Sequence, residues 1–302
     1  MRYRTLNQWL QEKYGRKVYK LALQGVTTCP NRDGTVGTRG CIFCSEQGSG
    51  EFAASGSMEE QLHRAKARVA AKVPSDAGYI AYFQSFTNTY APVERLRHLF
   101  TAAMEPSEVV ALSVATRPDC LGEDVLDLLE ELNQRKDVWV ELGLQTIHPE
   151  SAAYIRRGYP LEVFDRAVEV LHRRGITVVV HQIIGLPGET EEMIYATADY
   201  IARSGADGVK FHLLHVLRGT DLAAEYEAGR VDVLEMEEYF RLLAGCVERM
   251  APETVIHRLT GDGAKRDLIA PLWSGDKKRV LNAMHRYFEE HDVQQGRLYQ
   301  GE

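Results

Sequence analysis

The stretch Cys29-Pro30-Asn31-Arg32-Asp33-Gly34-Thr35-Val36-Gly37-Thr38-Arg39-Gly40-Cys41-Ile42-Phe43-Cys44 gathers three of the chain's five cysteines within 16 residues. Eleven residues separate Cys29 from Cys41, and two separate Cys41 from Cys44. An apolar run at 18–24 precedes the segment and reads as a strand, so the thiols are expected in a loop at that strand's C-terminal end. Gly34, Gly37 and Gly40 permit tight turns and are expected to turn backbone N–H groups toward bound sulfur. Three thiolates do not complete a four-cysteine zinc site, no His stands at finger-like spacing in the loop, and His63 falls on a predicted helix with no partner nearby. An iron–sulfur cluster held by three thiolates would keep one iron open to substrate. A structural zinc completed by a remote ligand and three incidental thiols are the other two readings. Cys120 and Cys246 stand alone and read as apolar packing.

Outward from this loop, strand-like runs at 79–83, 109–115, 139–144, 177–185 and 208–216 alternate with helical patterns at 58–73, 93–104, 123–133, 161–174 and 191–204. In the third of these helices Val125, Leu128, Leu129 and Leu132 recur at three- and four-residue spacing and mark one apolar face. After the first unit, strand starts recur every 30 to 40 residues, and the runs are rich in Val and Ile without strict alternation. Strands of that kind are buried on both faces of a parallel sheet. The spacing predicts six βα units in an α/β domain, barrel-like or open, with chemistry at the C-terminal strand ends. Beyond about residue 220 further helices, at 235–250 and 276–291, are expected to pack on the sheet. The division expected is a basic segment at 1–17, the βα domain at 18–220 and a C-terminal extension at 221–302.

The chain has 302 residues, 44% hydrophobic and 26% charged, with a formal charge of -7. That composition excludes intrinsic disorder, collagen-like repeats and a disulfide-stapled miniprotein. No apolar block at the start reads as a secretory signal, and no run is long enough to span a bilayer, so no membrane association is expected. Reduced thiols in odd number point to a cytoplasmic protein. Six Lys/Arg against one acid in residues 1–20, and seven against three in residues 257–286, leave the remainder strongly acidic. The two basic segments carry the aromatics Tyr3, Trp9, Tyr14, Trp273 and Tyr287, an interleaving suited to stacking unpaired bases and neutralising phosphates, or simply solvated surface.

Cys29, Cys41, Phe43 and Cys44 resemble the cluster motif of the radical S-adenosylmethionine (SAM) superfamily, with a first gap elongated as in the elongator-catalytic-subunit branch. Gln84-Ser85-Phe86-Thr87-Asn88-Thr89-Tyr90, Ala115-Thr116-Arg117-Pro118-Asp119, Glu141-Leu142-Gly143-Leu144-Gln145-Thr146 and Gly185-Leu186-Pro187-Gly188-Glu189 extend the likeness along most of the chain, each just after a predicted strand. The whole pattern is similar to the bacterial YtqA/YhcC-type family, which lacks the elongator's acetyltransferase domain. The resemblance implies a partial (β/α)6 TIM barrel, a [4Fe-4S] cluster on Cys29, Cys41 and Cys44, and SAM reductively cleaved to a 5′-deoxyadenosyl radical. It further implies modification of the C5 substituent of a tRNA wobble uridine, from 5-carboxymethylaminomethyl toward 5-aminomethyl. The implied partners are tRNA, a flavodoxin or ferredoxin as electron donor, and a downstream methyltransferase. A small metabolite such as a tetrapyrrole is the competing substrate class.

Within that frame, Gln84 and Ser85 are expected to accept from the SAM ammonium. Arg117 offers a fork for a carboxylate, or pairs with Asp119 or Glu123. Glu141 and Gln145 lie on one face of a strand; a buried Glu141 needs partners and is expected on the ribose or on Arg117. Gly185 lets backbone approach the adenine, and Glu189 either joins it or serves as a first-turn helix residue. Lys210 and His212, two polar groups pointing one way from the sixth strand, are the substrate-side catalytic candidates. Arg156-Arg157-Gly158-Tyr159 reads either as a phosphate contact or as a helix end capped by Gly158.

Overall fold

The computed structural model describes residues 2–48, 50, 53–261, 263 and 265–301. In chain order the elements are α1 (Leu6–Tyr14), β1 (Val18–Leu23), α2 (Met58–Val69), β2 (Gly78–Phe83), α3 (Val93–Met104), β3 (Val109–Thr116) and α4 (Glu123–Asn133). There follow β4 (Asp137–Gln145), α5 (Pro149–Tyr154), α6 (Leu161–Arg173), β5 (Thr177–Ile184), α7 (Glu191–Arg203) and β6 (Gly208–Leu213). The last third supplies β7 (Val216–Leu217), α8 (Asp221–Glu227), α9 (Met236–Arg249), β8 (Val255–Arg258), β9 (Leu268–Ala270) and α10 (Lys277–Glu290).

Seven strands form one sheet in the order β1-β2-β3-β4-β5-β6-β8, every neighbouring pair parallel. A sequential order is what successive βα crossovers of one hand produce when the sheet curls, and the β1 and β8 edges stay unpaired with each other, so this is a half-barrel. The sixfold expectation is therefore one strand short. β8, four residues long, comes from the region expected to give only helices and adds to the β6 edge. The expected strand at 208–216 breaks after Leu213, and β7 pairs instead with β9 in a short antiparallel ribbon. No described helix is long and apolar enough to cross a membrane.

Apolar faces of the helices close over the sheet. α4 buries Val125, Leu128, Leu129 and Leu132, the stripe expected from spacing. Phe100 of α3 is fully buried, its ring 5.3 Å from Phe83 of β2. At the N-terminal strand ends α1 plugs the base: Leu10 packs with Val18, Ile80, Ala111 and Trp139, and the Trp9 ring stands 5.4 Å from Trp139. Phe100→Ala should cost about 3–5 kcal/mol through loss of the ring and the cavity left behind. Leu272→Ala, at a side chain 75% exposed, should stay within about 0.5 kcal/mol. Urea unfolding midpoints of the two variants check both.

Candidate active site

A cavity of about 260 Å³ opens at the C-terminal strand ends, and Cys29, Cys41 and Cys44 all line it. Their loop is held by its own polar groups. Backbone N–H groups of Arg32 and Asp33 donate to Cys29 O, those of Val36 and Gly37 to Pro30 O, and that of Gly40 to Asn31 O. The glycine N–H groups expected to face sulfur are thus spent partly within the loop, because a buried turn must satisfy its own backbone first. The Asn31 amide donates to Arg156 O at 2.6 Å and stands 3.5 Å from Cys41 Sγ. Ile42 N–H donates to Ile155 O, and Ile42 O accepts from Leu222 N–H, so the loop is fastened to the α5 end and to α8. Arg32 donates to the carbonyls of Cys44, Ser45 and Glu46. Neither Asn31 nor Arg32 was singled out from sequence; a loop with so few apolar residues has to be tied down by such groups.

The residues fit the implied cofactors. All five cysteines are free thiols. Burial, reinforced by Cys44, pushes the Cys41 thiol up to about 12, a state that coordination to a metal would reverse by displacing the proton. Among the described residues no three His, Cys, Asp or Glu side chains stand close enough to share a single metal ion. The three thiols line one cavity, where they could hold a shared cofactor. Ser85 Oγ and Gln145 Oε1 are buried without a protein partner, and buried polar atoms of that kind call for a ligand or water. Phe86 and Gln145, both on the cavity wall, have φ of 58° and 63°. Non-glycine residues held there store strain where a ligand is to be gripped.

The floor below is one ion network. Glu141, fully buried, accepts from Lys20 (3.0 Å), Ser113 (2.7 Å), Tyr82 (3.1 Å) and His181 (3.0 Å), and from Lys210. Burial alone would push its carboxyl up, but Lys20, Lys210 and His181 hold it well below the usual range. Burial depresses the Lys210 ammonium, and it takes His181 down to about 4, so that imidazole is neutral and donates through Nε2.

The structure brings some of the expected site residues to the cavity and withholds others. Gln84, Arg117, Glu141, Gln145 and His212 line it. Ser85 is buried just behind. Arg117 is committed: Nε and Nη2 donate to Asp119 at 2.9 and 2.7 Å, and Nη1 to Arg157 O, since a guanidinium in a dry wall must be neutralised locally. Glu141 meets neither Arg117 nor an open ribose position; its oxygens are filled by the floor. Gln145 does not simply continue the Glu141 face, because the register shifts after Gly143, where a Cβ would come 2.7 Å from Gln145 Nε2. Lys210, 2% exposed, serves the floor and is off the cavity wall, donating to Glu141 and to Tyr82 Oη. Gly185, at φ 94°, faces Leu234, and Glu189 accepts from Thr146 Oγ1; neither lines the cavity.

Arg157 and Tyr159, read from sequence as a phosphate contact or a cap, are wall residues. Arg157 is buried and donates to Leu144 O and Thr146 O. Sequence reasoning missed Lys20, Tyr82, Ser113, His181 and Arg258. The available signal was a polar residue inside an apolar strand run, repeated from strand to strand.

Removing the central charge tests the floor. Glu141→Gln should lower stability near pH 7 by about 3–5 kcal/mol, since two lysines lose their counter-charge. The folded-state carboxyl is depressed, so its contribution is complete above the ordinary carboxylate pKa of about 4.3 and is lost as pH falls through the lowered value. The gap to the unsubstituted protein should close in acid; urea titrations showing a constant gap down to about pH 3 would contradict the network.

Comparison with known proteins agrees with this architecture. Residues 32–201 match the Radical SAM superfamily and residues 206–290 the Radical_SAM C-terminal domain. YtqA of Bacillus subtilis is 45% identical over 301 residues, 99% of this chain and 93% of its own length. A tRNA uridine(34) acetyltransferase of Methanocaldococcus jannaschii is 28% identical over 193 residues, 61% of this chain but 34% of that one. The solved structure of Methanocaldococcus infernus Elp3 superimposes with a TM-score of 0.70 at 19% identity, covering 92% of this chain and 64% of the other, and shares its fold. The chain belongs to the radical SAM superfamily and is a radical SAM enzyme, with YtqA of Bacillus subtilis as a full-length relative.

Proposed function

We propose that this enzyme alters the C5 substituent of a tRNA wobble uridine, converting a 5-carboxymethylaminomethyl group toward 5-aminomethyl, on a [4Fe-4S] cluster held by Cys29, Cys41 and Cys44. The observation that carries the reading is the match along 61% of the chain to a protein named for acetylating tRNA uridine 34. When bound, the cluster and SAM supply one-electron cleavage of the sulfonium and hydrogen abstraction from a substrate carbon. The chain's own residues bind and orient. Gln84, Ser85 and Gln145 present amide and hydroxyl groups suited to the polar end of SAM, and the Arg117–Asp119 pair and Tyr159 wall the cavity against water. A flavodoxin or ferredoxin would supply electrons, a methyltransferase would act downstream, and the cytoplasm is the compartment that suits reduced thiols.

The structure divides the two basic segments. Three cations of the N-terminal one are paired within the protein: Arg2 with Asp292, Lys13 with Asp137 at the start of β4, and Lys20 with Glu141 in the cavity floor. Its aromatics are consumed too, Trp9 against Trp139 and Tyr14 donating to Asp137. Trp273 likewise packs inward, donating to Leu234 O. Burial of ring surface outweighs a role in base stacking at these positions. The 257–286 segment differs. Ser274 is 3.1 Å from His215 of the cavity wall, and α10 starts three residues later with Lys277, Lys278 and Arg279 in its first turn. The Asp276 carboxylate caps that helix end, accepting from Arg279 N–H, and cations gathered beside the cavity suit the phosphates of an RNA. The internal use of the N-terminal charge favours the second reading, a small metabolite such as a tetrapyrrole.

Two measurements decide. Anaerobic reconstitution with iron and sulfide should give a coloured protein that forms 5′-deoxyadenosine from SAM, and Cys29→Ala, Cys41→Ala and Cys44→Ala should each abolish colour and product. In mobility shifts with tRNA, the triple charge reversal Lys277→Glu, Lys278→Glu and Arg279→Glu should weaken binding at least about tenfold and reduce the salt slope by about three. Arg16→Glu with Lys17→Glu, at the far end, should change neither; equal effects from both sets would favour the metabolite.

A further inference from the structure

We propose that Asn31 tunes the cluster's reduction potential by donating an amide N–H to the Cys41 sulfur once that thiol has become a ligand. The inference rests on the reading that Cys29, Cys41 and Cys44 hold a [4Fe-4S] cluster. It deepens that reading by naming a residue that sets how readily the bound cluster takes an electron.

Three observations converge. First, the Asn31 side chain, 3% exposed, places Nδ2 between two acceptors: 2.6 Å from Arg156 O and 3.5 Å from Cys41 Sγ. A side-chain amide carries two N–H groups, so it can serve both at once. Second, the surroundings fix which end of the amide is nitrogen. A second carbonyl, Arg157 O, stands 3.4 Å from Nδ2, and an oxygen turned toward two carbonyls would be repelled. The backbone of Asn31 is tied as well: its C=O accepts at 2.6 Å from the N–H of Gly40, the residue before Cys41. Third, the facing turn is shaped to admit this amide. Arg156 is held at φ 58°, and at Gly158 a Cβ would come 2.8 Å from Asn31 Oδ1.

The need for the amide arises when the thiol loses its proton. As a thiol, Cys41 donates toward Arg156 O at 3.7 Å. Coordination displaces that proton and would leave a carbonyl oxygen facing a thiolate sulfur. Asn31, bonded to both, keeps them compatible. The positive end of an N–H dipole aimed at a ligand sulfur favours the more negative charge state, and so raises the potential. The step it acts on is the entry of one electron from a flavodoxin or ferredoxin, in which no bond forms or breaks. Asn31 lies off the cavity wall; it acts through Cys41 and is a positioning residue.

The test uses the full chain, reconstituted anaerobically, reduced with dithionite and labelled with heavy nitrogen only at its asparagine side-chain amides. Pulsed EPR of the unsubstituted enzyme should show the reduced cluster coupled to labelled nitrogen, and Asn31→Ala should lose that coupling. The midpoint potential of Asn31→Ala should fall by about 59 mV, a tenfold change in a one-electron equilibrium and the scale of one hydrogen bond. Thr35→Val removes another tie of the same loop, the 2.9 Å hydroxyl contact with Tyr90, without changing charge, and should leave the midpoint in place. No labelled coupling in the unsubstituted enzyme overturns the proposal, whether or not Asn31→Ala takes up iron. An unshifted midpoint in Asn31→Ala, or an equal fall in Thr35→Val, overturns it too. Iron and sulfide analysis separates the two claims: a preparation without either removes the cluster reading itself, whereas a cluster without amide coupling removes only the role of Asn31.

Discussion

Six consecutive strands of this protein each contribute one side chain to a single buried carboxylate or are the strand that bears it: Lys20 from β1, Tyr82 from β2, Ser113 from β3, Glu141 itself on β4, His181 from β5 and Lys210 from β6. A charge at the centre of a half-barrel has no water to lean on, so it must be fully coordinated by its neighbours or the interior would reject it. Meeting that demand fixes how the strands curl and how deep the cavity can reach. It also sets two lysines, Lys20 and Lys210, against that one carboxylate.

The cysteine loop sits on that frame as a separately tied lid. Asn31 holds it to the α5 end through Arg156 O, and Ile42 bonds on one side to Ile155 and on the other to Leu222. Gly158, at φ 81°, is needed there because a Cβ would come 2.8 Å from Asn31 Oδ1. Preorganisation of this kind places the donors before any cofactor arrives, and the left-handed backbone at Phe86, Gln145 and Arg156 shows where the surroundings enforce it. Rigid floor and tethered loop together leave the polar ends of the cavity as the places where ligands can be chosen.

Much of the fold was legible along the chain. The strands near 79–83, 109–115 and 139–144 and the apolar stripe of α4 announce themselves because a buried parallel strand and an amphipathic helix each impose a periodicity on their own residues. α1, α5 and β8 escaped, being short or weakly apolar: β8 reads Val-Ile-His-Arg, and only its docking beside β6 makes it a strand. The thiol trio was legible from spacing, and the structure puts all three on one cavity. Arg117 and Lys210 were legible as polar groups at strand positions but not in their roles, since a side chain's partner is set by residues tens of positions away.

The order of residues alone thus determined the βα rhythm, the sulfur-bearing loop and its place at a strand's C-terminal end, because those follow from local periodicity and from which residues tolerate turns. Tertiary structure decided the seventh strand, the sealing of Glu141 by five partners, the packing of Trp9 and Leu10 at the base, and the place of His212 on the cavity wall. Those depend on register and curvature, which bring distant positions within hydrogen-bond reach and appear only when the sheet closes.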